Sequence, residues 1–432
     1  MAPREKKVHK TEGSLSKPEA PLLAACRHLL KPNGSIIGQE VAETILPSFT
    51  TFCAAIPTCL GGQTALASID GRTPLTHERI HDFCLQDFGP TLHSLGFGKG
   101  DRIALVLPNG PELALAIVAT AQWASCVPLS ANGAMSELEA DLGRCGADLV
   151  IGPYSGPMSL SPSLSTADDR FHVMSSQNED WSAFRSIEEC AAKLGIPFVG
   201  LVPSPSESGI FRLQSTRQSQ PLHFDQVQAP TAPLRVKAPL IEPNAASDEC
   251  LVLFTSGTTG NKKLVPHQMR DMLTAAATIA LSWDLTPFDV NCNLMPLFHV
   301  GGIVRQVFTP IFSGGCVICC PSFDPSIFWT LLEKRAFTWY YAAPTMHQLI
   351  LQTGKSDGFI SESGQCPFKL RMIANAAGGL LPSLAQEMFN TFAANVRNTT
   401  RADRHEMMRC KTVVKLTHML SFVVIRYFPH ME

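Results

Sequence analysis

The sequence predicts an α/β protein in which mainly parallel β-sheets are flanked by helices on both faces. Short apolar runs alternate with helical patterns over residues 100–151, and the same alternation resumes at Glu249. The composition, 45% hydrophobic and 17% charged, is that of a globular chain rather than a disordered one. A length of 432 residues allows either one large α/β body or more than one structural unit.

The first alternation opens with residues 100–110, where an apolar run between two turns predicts a strand. Pro111 is suited to open a helix, which is predicted over 112–123. A short strand is predicted at 125–129, and a helix end, a turn and a further strand at 142–151. Because parallel strands need crossover connections, this region predicts βαβ units.

The second alternation surrounds a small polar loop. A strand at 250–254, the loop at 255–263 and a helix at 267–283 are predicted in that order. The other predicted elements are strands at 291–297, 315–320, 337–342 and 369–374 and a helix at 328–334. Residues 154–170 and 204–248 are rich in Pro, Ser and Gln, which predicts surface loops or inserts within the fold.

Composition and charge argue against several partners and compartments. The formal net charge of −2 indicates no surface for a polyanion. Residues 1–17 lack the apolar run of a secretory signal, and polar residues interrupt the most apolar long stretch, 113–129. We therefore expect a soluble, cytoplasmic protein with no nucleic-acid partner and no membrane span. The peroxisome stays open as an alternative, although the chain ends in Pro-His-Met-Glu, which is not the usual peroxisomal address.

The fourteen cysteines are expected to be reduced, partly buried thiols. Only Cys316, Cys319 and Cys320 cluster. The first two have the spacing of a metal or redox pair, but their apolar surroundings indicate a buried strand. No second Cys/His pair at zinc spacing accompanies them, so no metal-binding residues are predicted.

The strongest indication of chemistry is the polar loop that follows the predicted strand at 250–254. Glycines let the main chain approach a ligand, consecutive N–H groups can surround an anion, hydroxyls donate hydrogen bonds and a lysine adds charge. A Walker loop is excluded, because Gly257 and Gly260 are too close together and Leu264 follows Lys263. The predicted phosphate-binding residues are Thr255, Ser256, Gly257, Thr258, Thr259, Gly260 and Lys263.

Residues 255–263, Thr-Ser-Gly-Thr-Thr-Gly-Asn-Lys-Lys, resemble the phosphate loop of the AMP-binding, adenylate-forming superfamily. This superfamily includes acyl-CoA synthetases, peptide-synthetase adenylation domains and luciferases. Lys262 departs from the proline that is common there, whereas the following lysine is retained as Lys263. Residues 100–109 and 119–129 are similar to the family's early strand, turn and helix. The resemblance implies the large N-terminal domain of the acyl-CoA synthetase-like fold.

Three further segments resemble the same family and imply site residues. Residues 295–302, Met-Pro-Leu-Phe-His-Val-Gly-Gly, are similar to a segment whose histidine, here His299, lies near the acyl pocket and gates it. Residues 340–346 resemble the strand and turn that open this pocket, although core packing explains them equally well. Residues 370–380 resemble the strand and small-residue turn along the adenine. The resemblance implies Lys263 and His299 as catalytic residues and Ala377, Gly378 and Gly379 as adenine contacts.

The resemblance ends at about residue 394. The family's Tyr-Gly-x-Thr-Glu loop, ribose-binding Asp, hinge and lysine-bearing C-terminal domain have no counterpart, so the small C-terminal domain is expected to be absent. We expect a loose polar leader at 1–45 and an incomplete adenylate-forming N-terminal domain at 46–394. An atypical tail, unstructured or foreign to the fold, is expected at 395–432.

The resemblance implies ATP-dependent activation of a carboxylic acid to an acyl-adenylate, then thioester formation with CoA or a carrier-protein phosphopantetheine. The implied cofactors are ATP, Mg²⁺ and CoA; the implied partners are a small carboxylic acid and, alternatively, an acyl carrier protein. A catalytically inactive, truncated chain that at most binds nucleotide is the alternative function. The Phe-His segment lacks the Asp with which amino-acid-selecting domains hold an ammonium group, which favours fatty, aryl or other organic acids.

Overall fold

A computed structural model of the chain describes residues 18–31, 36–156, 170–171, 173, 184–215, 224–228, 233–235, 238–255, 262–375 and 379–392, and the backbone of 397–398 and 423–426. Its strands are β1 (Thr64–Ser68), β2 (Leu75–Thr76), β3 (Arg102–Leu107), β4 (Ser125–Ser130), β5 (Leu149–Pro153), β6 (Phe198–Pro203), β7 (Phe211–Gln214), β8 (Glu249–Phe254), β9 (Leu264–Gln268), β10 (Val290–Asn293), β11 (Cys316–Cys319), β12 (Trp339–Ala342), β13 (Met372–Asn375), β14 (Arg397–Asn398) and β15 (Val423–Arg426).

The α-helices are α1 (Pro21–Cys26), α2 (Gly38–Ile45), α3 (Phe52–Ala55), α4 (His77–Asp82), α5 (Gly89–Ser94), α6 (Pro111–Trp123), α7 (Met135–Cys145), α8 (Arg185–Lys193), α9 (Met269–Ser282), α10 (Thr309–Phe312), α11 (Pro325–Glu333), α12 (Pro344–Ser356) and α13 (Pro382–Thr391). Wider π-helical turns occur at Phe83–Phe88 and Gly301–Phe308, and 3₁₀ turns at Arg27–Leu29, Thr58–Leu60 and Phe224–Gln226.

The strands form one eight-stranded and one seven-stranded sheet. The eight-stranded sheet has the order β14-β15-β13-β12-β10-β11-β1-β2, and its strands from β13 to β1 are parallel. The seven-stranded sheet has the order β7-β6-β5-β3-β4-β8-β9, and its strands from β6 to β8 are parallel. Antiparallel pairing among the described strands is confined to the sheet edges. The predicted class, mainly parallel sheets with helices, is confirmed.

Helix α6 lies between the two sheets. It contacts β3, β4 and β8 of the seven-stranded sheet and β1 and β11 of the eight-stranded sheet. Every residue from Pro111 to Gln122 is buried, as is typical of a helix that is apolar on all sides. The side-chain oxygen of Gln122 accepts a hydrogen bond from the Cys53 amide at 3.0 Å, so this buried polar group is satisfied. The helix therefore holds the two sheets in contact.

The structure differs from the sequence-based prediction beside the polar loop. Residues 264–268 form β9, which pairs antiparallel with β8, and the helix predicted from residue 267 begins at Met269. Sequence patterns do not predict β9, because His267 alone of its five residues is buried and Pro266 disfavours a strand. An edge strand tolerates this proline, since one side of its backbone needs no partner.

The strand predicted at 291–297 is shorter than expected and ends at Asn293. The Asn293 side chain accepts a hydrogen bond from the Met295 amide at 2.9 Å. Asparagine commonly starts a turn through such a bond two residues on. The residues that follow are therefore a turn that leads to His299.

Part of the predicted polar leader belongs to the folded body. Leu22 in α1 and Ile45 in α2 are fully buried, and both belong to the same core as residues of α9. Residues 18–31 and 36–45 therefore do not fit the predicted loose leader, because their apolar side chains lie on helix faces that meet the core. The first 17 residues of that prediction lie outside the described part of the chain.

The predicted inserts and tail are described only in part. Within 204–248, β7 pairs antiparallel with β6, so this piece of the predicted insert extends the sheet. Of the predicted tail at 395–432, only the backbone of β14 and β15 is described, next to β13. The remainder of both predictions lies outside the described residues.

The cysteines that the structure describes are all free thiols, and all except Cys59 are buried. Cys316 and Cys319 lie in β11, which confirms the predicted buried strand. Among the described residues, no group of three or more His, Cys, Asp or Glu side chains could hold a metal ion. Within the same part of the chain, no helix combines the length and apolarity needed to cross a membrane.

Candidate active site

The candidate residues follow the carboxyl ends of strands in both sheets. Thr255 comes directly after β8, His299 lies in the turn after β10, and Gly379 follows β13. Ligands commonly bind outside the carboxyl ends of parallel strands, where the crossover connections leave a crevice. The position of these residues in the topology is therefore that of a ligand site.

Asn109 joins the carboxyl edges of the two sheets. It follows β3 in the seven-stranded sheet, and its side-chain oxygen accepts a hydrogen bond from the Leu297 amide at 2.9 Å. Its side-chain nitrogen donates to the Cys320 carbonyl at 2.8 Å. Leu297 and Cys320 follow β10 and β11 of the other sheet. Sequence analysis assigned no role to Asn109, although it belongs to the family-like turn at residues 100–109.

The polar loop is closed at its base by main-chain and side-chain bonds. The Thr255 amide donates to the Lys263 carbonyl at 2.9 Å, and the Lys263 amide donates to Thr255 Oγ1 at 3.2 Å. These bonds continue the β8–β9 pairing by one residue on each strand. The predicted phosphate-binding residues Ser256, Gly257, Thr258, Thr259 and Gly260 lie outside the described residues.

Two adjacent lysines at the end of this loop have different surroundings. Lys262 Nζ lies 2.5 Å from Glu137 Oε1 and 2.6 Å from Asp141 Oδ2, and both carboxylates belong to α7. Lys263 is exposed, and its ammonium has no ion-pair partner in the described part of the chain. Of the two positive charges, that of Lys263 is therefore available to an anion.

His299 lies in the turn after β10, next to Phe298, with 4.5 Å between the two ring centroids. Although the residue reaches the surface, loss of hydration lowers the pKa of His299, and the positive charge of Lys262 lowers it further. The imidazole is therefore neutral at pH 7.

The backbone after His299 is tightly packed against the preceding turn. A side chain at Gly302 would place its Cβ 2.2 Å from the Pro296 carbonyl oxygen. Only glycine allows this approach without a backbone shift. Gly302 therefore stabilises the turn that presents His299.

The two tyrosines of the predicted pocket strand, β12, are both buried and point to opposite faces of the sheet. The Tyr340 hydroxyl hydrogen-bonds His347 Nδ1 at 3.0 Å, on the side of α11 and α12. The Tyr341 hydroxyl accepts a hydrogen bond from Arg305 Nη1 at 2.9 Å, on the side of α9. Tyr340 thus packs in the core, whereas Tyr341 contacts the helix that follows His299.

Sequence analysis overlooked two buried polar residues in the π-helical turn Gly301–Phe308. Burial lowers the pKa of Arg305 to about 10, and Tyr341 opposes this shift. Gln306 Nε2 donates to the carbonyls of Cys292 and Tyr341, both at 3.2 Å, and so joins β10 to β12. An arginine and a glutamine within an otherwise apolar run were the signal that could have identified them.

The predicted adenine contacts are described only at Gly379. Ala377 and Gly378 lie outside the described residues. Gly379 is exposed, and a Cβ added there would meet no atom of the described residues within 4 Å. Among the described residues, no hydrogen bond or ion pair links any two of Lys262, His299 and Gly379.

Sequence comparison places these features in a known family. The family model described as AMP-binding enzyme matches residues 59–399. Acyl-CoA synthetase FUM10 from Gibberella moniliformis is 29% identical over 74% of this chain and 49% of that protein. Oxalate–CoA ligase from Arabidopsis thaliana is 26% identical over 82% of this chain and 58% of that protein. The chain thus spans about half the length of the curated relatives it matches.

Solved structures show the same fold. ATP-bound MatB from Rhodopseudomonas palustris aligns with a TM-score of 0.56 at 20% identity, covering 78% of this chain and 56% of that chain. The N-terminal domain of FACL13 from Mycobacterium tuberculosis aligns with a TM-score of 0.57 at 17% identity, covering 79% and 73%. The fold is therefore that of the large N-terminal domain of acyl-CoA synthetase-like proteins. Because the family model matches most of its length, this chain belongs to the AMP-binding enzyme family.

Proposed function

We propose that this protein activates a carboxylic acid with ATP, forming an acyl-adenylate, and then transfers the acyl group to CoA as a thioester. The supporting observation is the position of two elements at the carboxyl ends of strands in different sheets. The polar loop that ends in Lys262 and Lys263 follows β8, the turn that holds His299 follows β10, and Asn109 joins the two sheets at this edge. This arrangement supports a phosphate-binding element beside an acid-binding element.

The residues at the base of the loop fit a bound polyphosphate. Lys263 is exposed and free of described ion pairs, so its ammonium can approach phosphate oxygens. Thr255 fixes the main chain of Lys263 through two hydrogen bonds. The proposed phosphate-binding set is Thr255, Ser256, Gly257, Thr258, Thr259, Gly260 and Lys263.

In the proposed first step, a carboxylate oxygen of the acid attacks the α-phosphorus of ATP, and pyrophosphate leaves with the electron pair of the broken P–O bond. Lys263 offsets negative charge on the phosphates as this bond breaks. His299, neutral above its lowered pKa, flanks the acid without adding charge. In the second step, the CoA sulfur, after loss of its proton to solvent, attacks the acyl carbon, and AMP leaves with the electron pair of the broken C–O bond.

The family also implies a magnesium ion and contacts to the adenine of ATP. Magnesium, when bound, would neutralise part of the phosphate charge. The described residues include no metal-ligating cluster of three or more side chains, so no residue is assigned to magnesium. Ala377, Gly378 and Gly379 are the proposed adenine contacts, and the open space at Gly379 fits a planar base near the main chain.

The acid and its acceptor are proposed from the relatives and from one segment. Relatives named acyl-CoA synthetase, oxalate–CoA ligase and, from Cupriavidus necator, sulfoacetate–CoA ligase favour CoA as acceptor. The pantetheine of an acyl carrier protein is the alternative. Residues 290–308 contain no Asp or Glu to hold an ammonium group, which favours an organic acid over an amino acid. The cytoplasm is the proposed compartment, with the peroxisome as the alternative.

The test is acid-dependent exchange of labelled pyrophosphate into ATP, with the full chain and a pooled panel of organic and amino acids. We expect exchange with at least one organic acid and a loss of about 100-fold in Lys263→Ala, because a phosphate-binding cation is removed. Lys193→Ala is the matched control. This lysine lies on the surface of α8 and forms an ion pair with Glu139, away from the polar loop in sequence, so exchange should be unchanged.

One result would contradict this function, and another would contradict only the role of Lys263. ATP binding without exchange for any acid, with the chain folded by circular dichroism, would favour the alternative of a nucleotide-binding chain without catalysis. Equal exchange in wild type and Lys263→Ala would remove Lys263 from the site. Titration calorimetry with ATP separates binding from exchange in both cases.

A further inference from the structure

Lys262 stands where the resembled family commonly has proline, and it forms a three-residue charge cluster. Its ammonium lies between Glu137 and Asp141, which are four residues apart and therefore neighbours on one face of α7. Two carboxylates at this spacing repel each other unless a cation lies between them. We refer to Lys262, Glu137 and Asp141 as the Lys262 cluster.

The Lys262 cluster is partly shielded from water. The side chain of Asp141 is 9% exposed and that of Lys262 31% exposed. The second oxygen of Asp141, Oδ1, is buried and has no hydrogen-bond partner among the described residues. The ammonium of Lys262 also lies 5.9 Å from the centre of the Phe254 ring, the last residue of β8. The Lys262–Asp141 ion pair is therefore screened less by water and salt than a fully exposed pair, whereas the side chain of Glu137 is 52% exposed.

Lys262 and Lys263 are neighbours in the chain but bond to different elements. The side chain of Lys262 forms ion pairs with α7, whereas the main chain of Lys263 forms hydrogen bonds with Thr255. Helix α7 in turn packs on β4, the neighbour of β8 in the sheet. The end of the polar loop is thus joined to a helix and to a strand of the same sheet.

We infer that Lys262 supports polyphosphate binding without contacting phosphate. Its ammonium compensates the charges of Glu137 and Asp141, which would otherwise repel phosphates bound at Lys263. This inference rests on the proposed function, because it assumes that Lys263 contacts ATP. Lys262 itself does not contact phosphate in this arrangement, since its ammonium already lies within 2.6 Å of two carboxylate oxygens.

The test measures ATP binding by titration calorimetry on the full chain and on four variants. Lys262→Met should weaken binding about tenfold, because two uncompensated carboxylates remain near the phosphates. Lys262→Arg should restore binding to about wild-type strength, since a guanidinium can bridge two carboxylates. The triple variant Glu137→Gln, Asp141→Asn, Lys262→Met should bind within about threefold of wild type, because no charge is left uncompensated.

Lys193→Met is the matched control, because Lys193 Nζ, in α8, pairs at 2.7 Å on the exposed surface with Glu139 Oε1, which lies in α7 like Glu137 and Asp141. Its ATP binding should equal that of wild type. Binding by Lys262→Met that equals wild type would overturn the inference. A triple variant as weak as Lys262→Met would also overturn it, because Lys262 would then contact phosphate directly.

The same measurements distinguish failure of the Lys262 inference from failure of the proposed function. If Lys262→Met does not fold, the triple variant decides, and binding more than about tenfold weaker than wild type contradicts the inference. Wild type that binds ATP with this dependence on Lys262 but shows no acid-dependent exchange would contradict the proposed catalysis and support the charge-compensating role of Lys262. Wild type that binds no ATP would overturn both.

Discussion

Asn109 in one sheet and Leu297 in the other are joined by a hydrogen bond of 2.9 Å from the Leu297 amide to the Asn109 side chain. The same side chain donates to the Cys320 carbonyl at 2.8 Å. A single amide group thus connects the ends of β3, β10 and β11, and the candidate residue His299 follows β10. It is well suited to this role because an amide offers both a donor and an acceptor.

Replacing Asn109 should therefore affect both stability and the site. We expect Asn109→Leu to lower the free energy of unfolding by about 1–3 kcal/mol, since it leaves two partly buried backbone groups without a partner. Asn109→Asp keeps the acceptor for Leu297 but loses the donor to Cys320, so its effect should be smaller. Urea unfolding measures both variants. Equal stability of wild type and Asn109→Leu would show that the bridge contributes nothing.

The packing of the turn before His299 can be tested by Gly302→Ala, with Gly62→Ala as the control. Gly302→Ala places a Cβ 2.2 Å from the Pro296 carbonyl oxygen, whereas Gly62→Ala meets no atom within 4 Å. We expect Gly302→Ala to lose about 1–3 kcal/mol of unfolding free energy, because the backbone must shift. Gly62→Ala should be neutral or slightly stabilising. Thermal unfolding would contradict this expectation if both variants melted at the same temperature.

The hydroxyls of Tyr341 and Tyr340 should differ in their contribution to stability. Tyr341 accepts a hydrogen bond from the buried, charged Arg305, whereas Tyr340 bonds His347. Hydrogen bonds to charged groups contribute about 1.5–3 kcal/mol and neutral ones about 1 kcal/mol. Tyr341→Phe should therefore destabilise the protein more than Tyr340→Phe in urea unfolding. The reverse order would indicate that the Arg305 guanidinium is stabilised mainly by other groups.

Two buried histidines should make the protein less stable in mild acid. Burial lowers the pKa of His347 to about 3 and that of His77 to about 4. Between these values and the ordinary pKa of about 6.5, the unfolded chain binds more protons than the folded one, so stability falls as the pH falls. From pH 6.5 to pH 5.0 each histidine should cost about 1.5 kcal/mol.

The variant His347→Gln isolates one of these two contributions. Its loss of stability between pH 6.5 and pH 5.0 should be about 1.5 kcal/mol smaller than that of wild type. Guanidinium unfolding at the two pH values measures this difference. An identical loss in both proteins would mean that His347 is protonated in the folded state.

The titration of His299 should report the nearby Lys262. Loss of hydration and the charge of Lys262 both lower the pKa of His299, in that order. Lys262→Met removes the second cause, so the pKa of His299 should rise while staying below its ordinary value. NMR titration of the imidazole C–H signals measures it, with Lys193→Met as a control that leaves it unchanged. A lower pKa in Lys262→Met would contradict the described proximity.

Local sequence patterns predicted much of the fold and part of the site. The helix at α6 and the strands at β4 and β11 follow from apolar runs bounded by Pro, Gly and polar residues. The polar loop after β8 follows from its glycines and hydroxyls. Patterns did not predict β9, because an edge strand with one buried residue has no apolar alternation. The roles of Lys263 and His299 stay predictions that the exchange assay tests.

The order of elements, the parallel class and the chemical character of the loop are therefore determined by residues a few positions apart, because propensities and turn chemistry act over that range. Tertiary structure alone decided which distant residues meet. Lys262 pairs with Asp141 across 121 positions, and Leu297 binds Asn109 across 188. No local spacing specifies such partners, since they depend on how α7 and the two sheets pack around α6. The environment of each candidate side chain is accordingly a property of the assembled sheets rather than of its neighbours in the chain.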